Sequence, residues 1–285
     1  MRATFTRRKE PLETMTDNMN QRYEELKSHL RTLGSVVIGL SGGVDSALLA
    51  AAAYDALGRE ALAVSGHSAT HPESELADAK ALAAALGIRH FVIDTTEMDD
   101  PDFAANGPRR CYFCKKHLFG EMWRIARDEG LAYVIEGSNR DDLSDYRPGM
   151  DALRELGVRS PFVELNIGKD EIRALAHERG LTVWDKPAAA CLASRVPYGE
   201  IIDEAKLDRI EKAEDAMRAL GFRLARARDH GDLVRLEIDP ALFDRLTDAS
   251  LRARIVQAMK DAGYRYVSLD LQGYRRGAMN ETLND

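Results

Sequence analysis

The chain has 285 residues, of which 45% are hydrophobic and 31% charged, with three cysteines and a formal net charge of -7. No uninterrupted apolar run reaches the roughly 18 residues that a bilayer crossing needs, so no membrane partner is expected, and the acidic balance argues against a protein whose main task is to coat phosphates. An odd number of cysteines, in a chain whose basic start lacks an apolar h-region, is poor material for a disulfide framework; the expected location is the cytoplasm.

The length suits about two domains. Residues 1–17 read as a flexible tail, followed by a polar amphipathic helix over residues 18–32. Strand and helix then alternate: a β-branched strand over 35–40, a helix from Asp45, a strand over 60–66, a helix over 72–87 and a strand over 89–95. Residues 101–110 read as a loop, 111–130 as a helix with Cys111 and Cys114 at its entrance, 131–139 as a strand and 167–181 as a helix. This alternation predicts an α/β fold of right-handed βαβ units, a parallel sheet with helices on both faces. Near residue 200 the texture changes to a charged amphipathic helix over 203–221, strands over 222–228 and 232–239, a helix near 248–262 and a strand over 264–271. The expected organisation is a nucleotide-binding domain over 18–200, carrying the cysteine site, and a small α+β domain over 201–285 for substrate or oligomer contacts.

Between the first strand and its helix stands "SGGVDS", Ser41 to Ser46. Gly42 and Gly43 let the main chain approach a ligand closely. Their N–H groups and those opening the helix point at one spot, where the helix dipole favours negative charge. Ser41 and Ser46 add hydroxyl donors, so a phosphate site is expected. The spacing is neither that of a Walker A loop nor the dinucleotide fingerprint. Asp45 is out of place in a pure anion hole, unless it binds Mg²⁺ bridged to phosphate oxygens or caps the helix; both readings stand.

"SGGVDS" resembles the PP-loop of the ATP pyrophosphatase superfamily, whose fold is HUP-like, of the adenine nucleotide alpha hydrolase type. That resemblance implies that Ser41, Gly42, Gly43, Val44, Asp45 and Ser46 hold the β,γ-pyrophosphate of ATP and that the enzyme transfers AMP to a substrate oxygen. The ends of neighbouring strands complete such sites, here Gly137, Ser138 and Asn139, with Asp142 a second candidate for Mg²⁺ and with Ser65, Gly66 and His67 near adenine or ribose.

Cys111 and Cys114 form a C-x-x-C pair, which by itself is ambiguous between metal binding, redox chemistry and packing. Cys191 lies far off in "KPAAACLASRVPYG". Three converging thiolates would leave an open position on a metal or an iron-sulfur cluster; inert core thiols are the alternative. Arg109, Arg110, Lys115 and Lys116 flank the pair, and positive charge with a helix N-terminus is expected to lower the thiol pKa.

"SGGVDS", "EGSNRDDLSDYRPGM", "KPAAACLASRVPYG" and "LDLQGYRRGAMNE", in that order, resemble the LarE family of ATP-dependent sulfur transferases over residues 20–282. The resemblance implies conversion of the carboxylates of pyridinium-3,5-biscarboxylic acid mononucleotide to thiocarboxylates, in biosynthesis of the nickel-pincer nucleotide cofactor. In the family's better-known form the cysteine matching Cys191 surrenders its sulfur. This chain instead resembles a three-cysteine branch, which implies a [4Fe-4S] cluster on Cys111, Cys114 and Cys191. Arg195 is expected to balance charge near the reacting carboxylate. Arg226 and Arg228, two apart on a strand and so on one face, are expected to clamp the substrate phosphate with Arg275; alternating exposed charges are the plainer reading. A homo-oligomer is expected. The rivals are a PP-loop tRNA thiolation enzyme, a non-catalytic nucleotide or iron-sulfur sensor, and an amide-forming ligase.

Overall fold

The computed structural model describes residues 12–144, 148–187, 190–275 and 277–283. Most of the expected tail lies outside these residues. Helix α1, Leu12–Leu33, begins earlier than the amphipathic pattern alone indicated.

The alternation of the first half folds as β1 (Val36–Gly39), α2 (Val44–Leu57), β2 (Ala61–His67), α3 (Glu73–Leu86) and β3 (Arg89–Asp94). The stretch read as a loop over 101–110 contains a short helix, α4 (Pro101–Ala104), which Asp100 caps by accepting from the N–H of Asp102 and which Pro101 starts. Then come α5 (Arg110–Glu129), β4 (Tyr133–Ile135), α6 (Gly149–Glu155), α7 (Pro161–Glu164) and α8 (Lys169–Glu178). The four strands form one parallel sheet in the order β3-β2-β1-β4, with Val36 level with Ala61 on one side and with Tyr133 on the other.

Both faces of the sheet are covered. On one, α1, α2, α3 and α8 enclose a core from Tyr23 to Leu181. On the other, α5 and α6 pack Phe119, Met122 and Leu153 against Val37 and Val134. The alanine-rich α2 is the central helix: Ser46 to Ala53 are all buried, since small side chains let helices lie against it on several sides. Its Leu48 and Leu49 are fully covered, each stabilising by about 1.5–3 kcal/mol.

The second half supplies α9 (Glu204–Ala219), β5 (Ala225–His230), β6 (Leu233–Ile238), α10 (Ala249–Asp261) and β7 (Tyr266–Leu269). The sheet runs β5-β6-β7, its first pair antiparallel and its second parallel. The β5–β6 hairpin turns at Gly231, whose φ is 71°. This sheet and its helices have their own core around Phe222, Ile238 and Met259. A further cluster crosses the expected boundary, joining Phe103, Leu192 and Val196 to Ile202, Leu207 and Ile210.

Candidate active site

The loop after β1 is held open by specific bonds. Leu40 donates its N–H to Val64 O at 2.8 Å, and its own carbonyl accepts from Ser65 Oγ at 2.6 Å. Gly42 has a φ of 71°, and a Cβ there would stand 2.7 Å from the carbonyl of Glu75; both the turn and the approach of α3 require glycine. Gly43 is the N-cap of α2, and no side chain caps it. The first helical bond runs from Ala47 N–H to Gly43 O, which leaves the N–H groups of the preceding turn outside the helical ladder. Ser46 Oγ donates to Gly43 O at 3.1 Å and accepts from Ser41 N–H at 3.2 Å, while Val44 is buried and anchors the helix start.

Asp45 does not cap the helix. Its carboxylate pairs with Lys169 Nζ and accepts from Asn139 Nδ2 at 3.2 Å. Asn139 N–H in turn donates to Asp142 at 3.0 Å. Gly137 passes so close that a Cβ would lie 3.1 Å from Ser46 N, and Ser138 Oγ donates to Glu136 at 2.8 Å. The expected ATP residues of both loops therefore stand side by side at the carboxyl ends of β1 and β4, where ligands gather in open α/β sheets.

Ser41, Asp45, Ser46, Gly137, Ser138 and Asp142 line one cavity of about 390 Å³, and Cys111, Cys114 and Cys191 line the same cavity. Two of the thiols leave the first turn of α5; the third is the residue that precedes the 3-10 turn Leu192–Arg195. The Cys191 segment is docked from two sides. Leu192 N–H donates to Thr70 O at 2.8 Å, and Arg110 donates to Ala193 O at 2.9 Å and to Asn106 Oδ1 at 2.6 Å. Asn106, itself at a φ of 52°, donates to the carbonyls of Val196 and Pro197.

The expected lowering of thiol pKa is overturned for Cys114. Burial, reinforced by neighbouring Cys191, Glu97 and Cys111, pushes the Cys114 thiol well above its ordinary value. Burial also pushes Cys191 up, against the opposing pull of Arg110. Desolvation outweighs the flanking cations, two of which point elsewhere: Arg109 lies over the Tyr112 ring and Lys116 Nζ donates to Tyr112 Oη. Among the described residues no three His, Cys, Asp or Glu side chains close on a single metal-ion position. The thiols share a cavity without meeting at one point.

Other expected residues lie apart from this cavity. Arg195 is buried in an ion pair with Glu214 at 2.7 Å and donates to the carbonyls of Ala190 and Cys191; it braces the cysteine segment. Arg228 is taken up by Glu237 at 2.8 Å and by Ser194 O at 2.7 Å. Arg226 lies 3.8 Å from Glu214 and over the Tyr274 ring, and Arg275 pairs with Glu281. The three do not form an open clamp, and Arg226 and Arg228 are buried, not the exposed charges of the plainer reading. By contrast, Gly66 lines the cavity, and Ser65, Gly66 and His67 line a smaller pocket beside Ser41, with Ser65 supporting the loop and His67 held between Asp94 and Glu73.

Several participants escaped the sequence reading. Glu136 and His71 line the cavity, the latter held below the ordinary imidazole value by burial. Lys169 reaches Asp45, and Lys186 Nζ donates to Gly42 O at 3.0 Å and pairs with Asp78 at 2.7 Å. Glu136, ending a strand just before Gly137, had a positional signal; the lysines had none.

A glycine-rich loop opening a buried helix at the carboxyl edge of a parallel sheet, with the helix's first N–H groups outside its ladder and an adjoining carboxylate, defines a nucleotide-binding α/β protein of the PP-loop type. The comparisons with known proteins agree. The NAD synthase family model matches residues 18–105, from α1 through the loop to the region after β3. A Synechocystis protein, slr1717, is 42% identical over 93% of this chain and 99% of its own length. The pyridinium-3,5-bisthiocarboxylic acid mononucleotide synthase of Lactiplantibacillus plantarum is 36% identical over 90% of this chain and 93% of its own. The tRNA-specific 2-thiouridylase MnmA of Rickettsia felis is 25% identical over 72% of this chain and 65% of its own. The chain belongs to the family of the pyridinium-3,5-bisthiocarboxylic acid mononucleotide synthase, the LarE family.

Proposed function

We propose that this protein is an ATP-dependent sulfur transferase that converts a carboxylate of pyridinium-3,5-biscarboxylic acid mononucleotide to a thiocarboxylate, in nickel-pincer nucleotide biosynthesis. The observation that carries the reading is the single cavity shared by the Ser41–Ser46 loop and the three cysteines. ATP lies with its pyrophosphate on that loop and on Gly137, Ser138 and Asn139. A substrate carboxylate oxygen attacks the α-phosphorus, and the loop N–H groups stabilise the departing pyrophosphate. The acyl-adenylate is a good electrophile; a sulfur nucleophile adds to its carbonyl carbon and AMP leaves, so that one hard substitution becomes two easier ones.

Asp45 and Asp142 would hold Mg²⁺, whose preference for carboxylate and phosphate oxygens suits them; Asp45 then gives up Lys169. Cys111, Cys114 and Cys191 would hold a [4Fe-4S] cluster, which supplies an iron-held sulfide as sulfur donor. Two sulfurs from one helical turn and a third from the facing segment suit a body larger than a single ion, with one position left open. Arg195 serves by fixing the backbone of Cys191. Arg226, Arg228 and Arg275 reach the substrate phosphate only by exchanging their present acidic partners. The reading includes a cytoplasmic location and a homo-oligomer; no helix among the described residues is long and apolar enough to cross a membrane.

The test is anaerobic incubation with ATP and the pyridinium dicarboxylic mononucleotide. Pyrophosphate, AMP and a thiocarboxylate product are expected. Silence with that acid, accompanied by thiolation of tRNA, would move the reading to the activity for which the MnmA relatives are named. Iron and sulfide content, with the mass of the Cys191 peptide after turnover, separates a cluster-held donor from loss of the cysteine's own sulfur.

A further inference from the structure

The cavity contains a buried cation that faces no carboxylate among the described residues and has the Cys111 and Cys191 thiols as its neighbours. Four arginines are buried among the described residues: Arg110, Arg195, Arg226 and Arg228. Three of them face a carboxylate, Arg195 and Arg226 that of Glu214 and Arg228 that of Glu237. Arg110, 4% exposed, faces none among the described residues. Its Nη1 donates to two neutral oxygens, Asn106 Oδ1 and Ala193 O, and its guanidinium lies 5.8 Å from the Tyr198 ring. Lys115, the other cation on the cavity wall, has Glu136 at 3.7 Å. A guanidinium does not give up its proton, and a buried cation without a counter-charge is costly to keep. The fold keeps it where Cys111 follows directly in the chain and the Cys191 segment is tied to its side chain.

We propose that Arg110 is the positioning residue of the sulfur end: its guanidinium makes the corner between the first turn of α5 and the Cys191 segment an anion-holding place, and the sulfur used in the transfer is held there in anionic form. The proposal deepens the sulfur-transferase reading and rests on it for the identity of the anion. The positive corner itself is measurable without turnover.

The probe is a pair of alkylating agents of equal reach and different charge, iodoacetate and iodoacetamide, applied to metal-free full-length protein at one pH, with modification of Cys111 and Cys191 read by peptide mass. The ratio of the two rates cancels the thiolate fraction and reports local potential. The wild type should favour iodoacetate, relative to free cysteine, by on the order of tenfold. Arg110→Gln should lose most of that preference, while Arg110→Lys keeps it. A wild-type ratio no higher than that of free cysteine, or an Arg110→Gln protein of unchanged ratio, overturns the proposal; the first of these needs no variant to fold. Pyrophosphate release and product mass report separately on the sulfur-transferase reading, so failure of one is not mistaken for failure of the other.

Discussion

Gly42 combines two constraints in one residue, a left-handed backbone and a carbonyl 2.7 Å from where a Cβ would stand. Gly42→Ala should therefore cost about 1–2 kcal/mol from the backbone alone, more from displacing α3, and should remove ATP-dependent pyrophosphate release; thermal unfolding and a pyrophosphate assay read the two effects. Lys169→Met deprives Asp45 of its cation in the metal-free protein, and a charge-assisted bond of about 1.5–3 kcal/mol predicts a lower Tm without Mg²⁺, partly restored by Lys169→Arg. The hexapeptide motif made Ser41 to Ser46 legible in the sequence because the chemistry is local. Lys169 was illegible, since it meets Asp45 across 124 positions of chain and nothing near it marks the partnership. His67 carries a pH prediction. Hydrogen bonds donated to Asp94 and then to Glu73 raise its pKa, so its stabilising contribution is complete below the unfolded value of about 6.5 and is lost as pH rises through the higher folded value. His67→Asn should flatten the change in Tm between mildly acidic and mildly alkaline buffer.

At the scale of elements, the 3-10 turn after Cys191 is joined to α9 and β5 by Arg195 and Glu214, both 2% exposed. The carboxylate also accepts from the N–H of Ala227 at 3.1 Å. Arg195→Met leaves that carboxylate buried with Arg226 and the Ala227 N–H as its partners among the described residues and should cost about 3–5 kcal/mol in urea denaturation, with Arg195→Met/Glu214→Gln less damaging than the single changes summed. Helix and strand identities were largely readable, because α2 and the strands β1, β2 and β4 carry short apolar runs and α3 ends at a glycine. The short α4 and α6 were missed, lacking the length over which a helical period declares itself. Cys114 shows where sequence reasoning misjudged a balance: basic neighbours are visible in a sequence, while the burial that outweighs them is not.

For the whole molecule, the expected division near residue 200 follows a real change of sheet, yet the packing disregards it. Ile202, Leu207 and Ile210 cover Phe103, Leu192 and Val196, so the second half completes the wall behind the cysteines. A chain ending at residue 200 should bare that apolar surface, bind a hydrophobic dye and lose protection of the Cys191 peptide in hydrogen exchange; a truncated protein with native protection there would show the boundary to be a true one. A contact cluster of this kind joins residues about a hundred positions apart and has no periodic signature, which is why composition alone could not reveal it.

Lys186 fastens the glycine loop from outside its own motif. Its ammonium grips the carbonyl of Gly42 from a stretch of backbone just upstream of Cys191, so the cradle for the triphosphate and the approach to the thiol share a tether. Lys186→Met should therefore loosen the glycine loop where it meets α3, seen as faster hydrogen exchange of the Gly42 peptide.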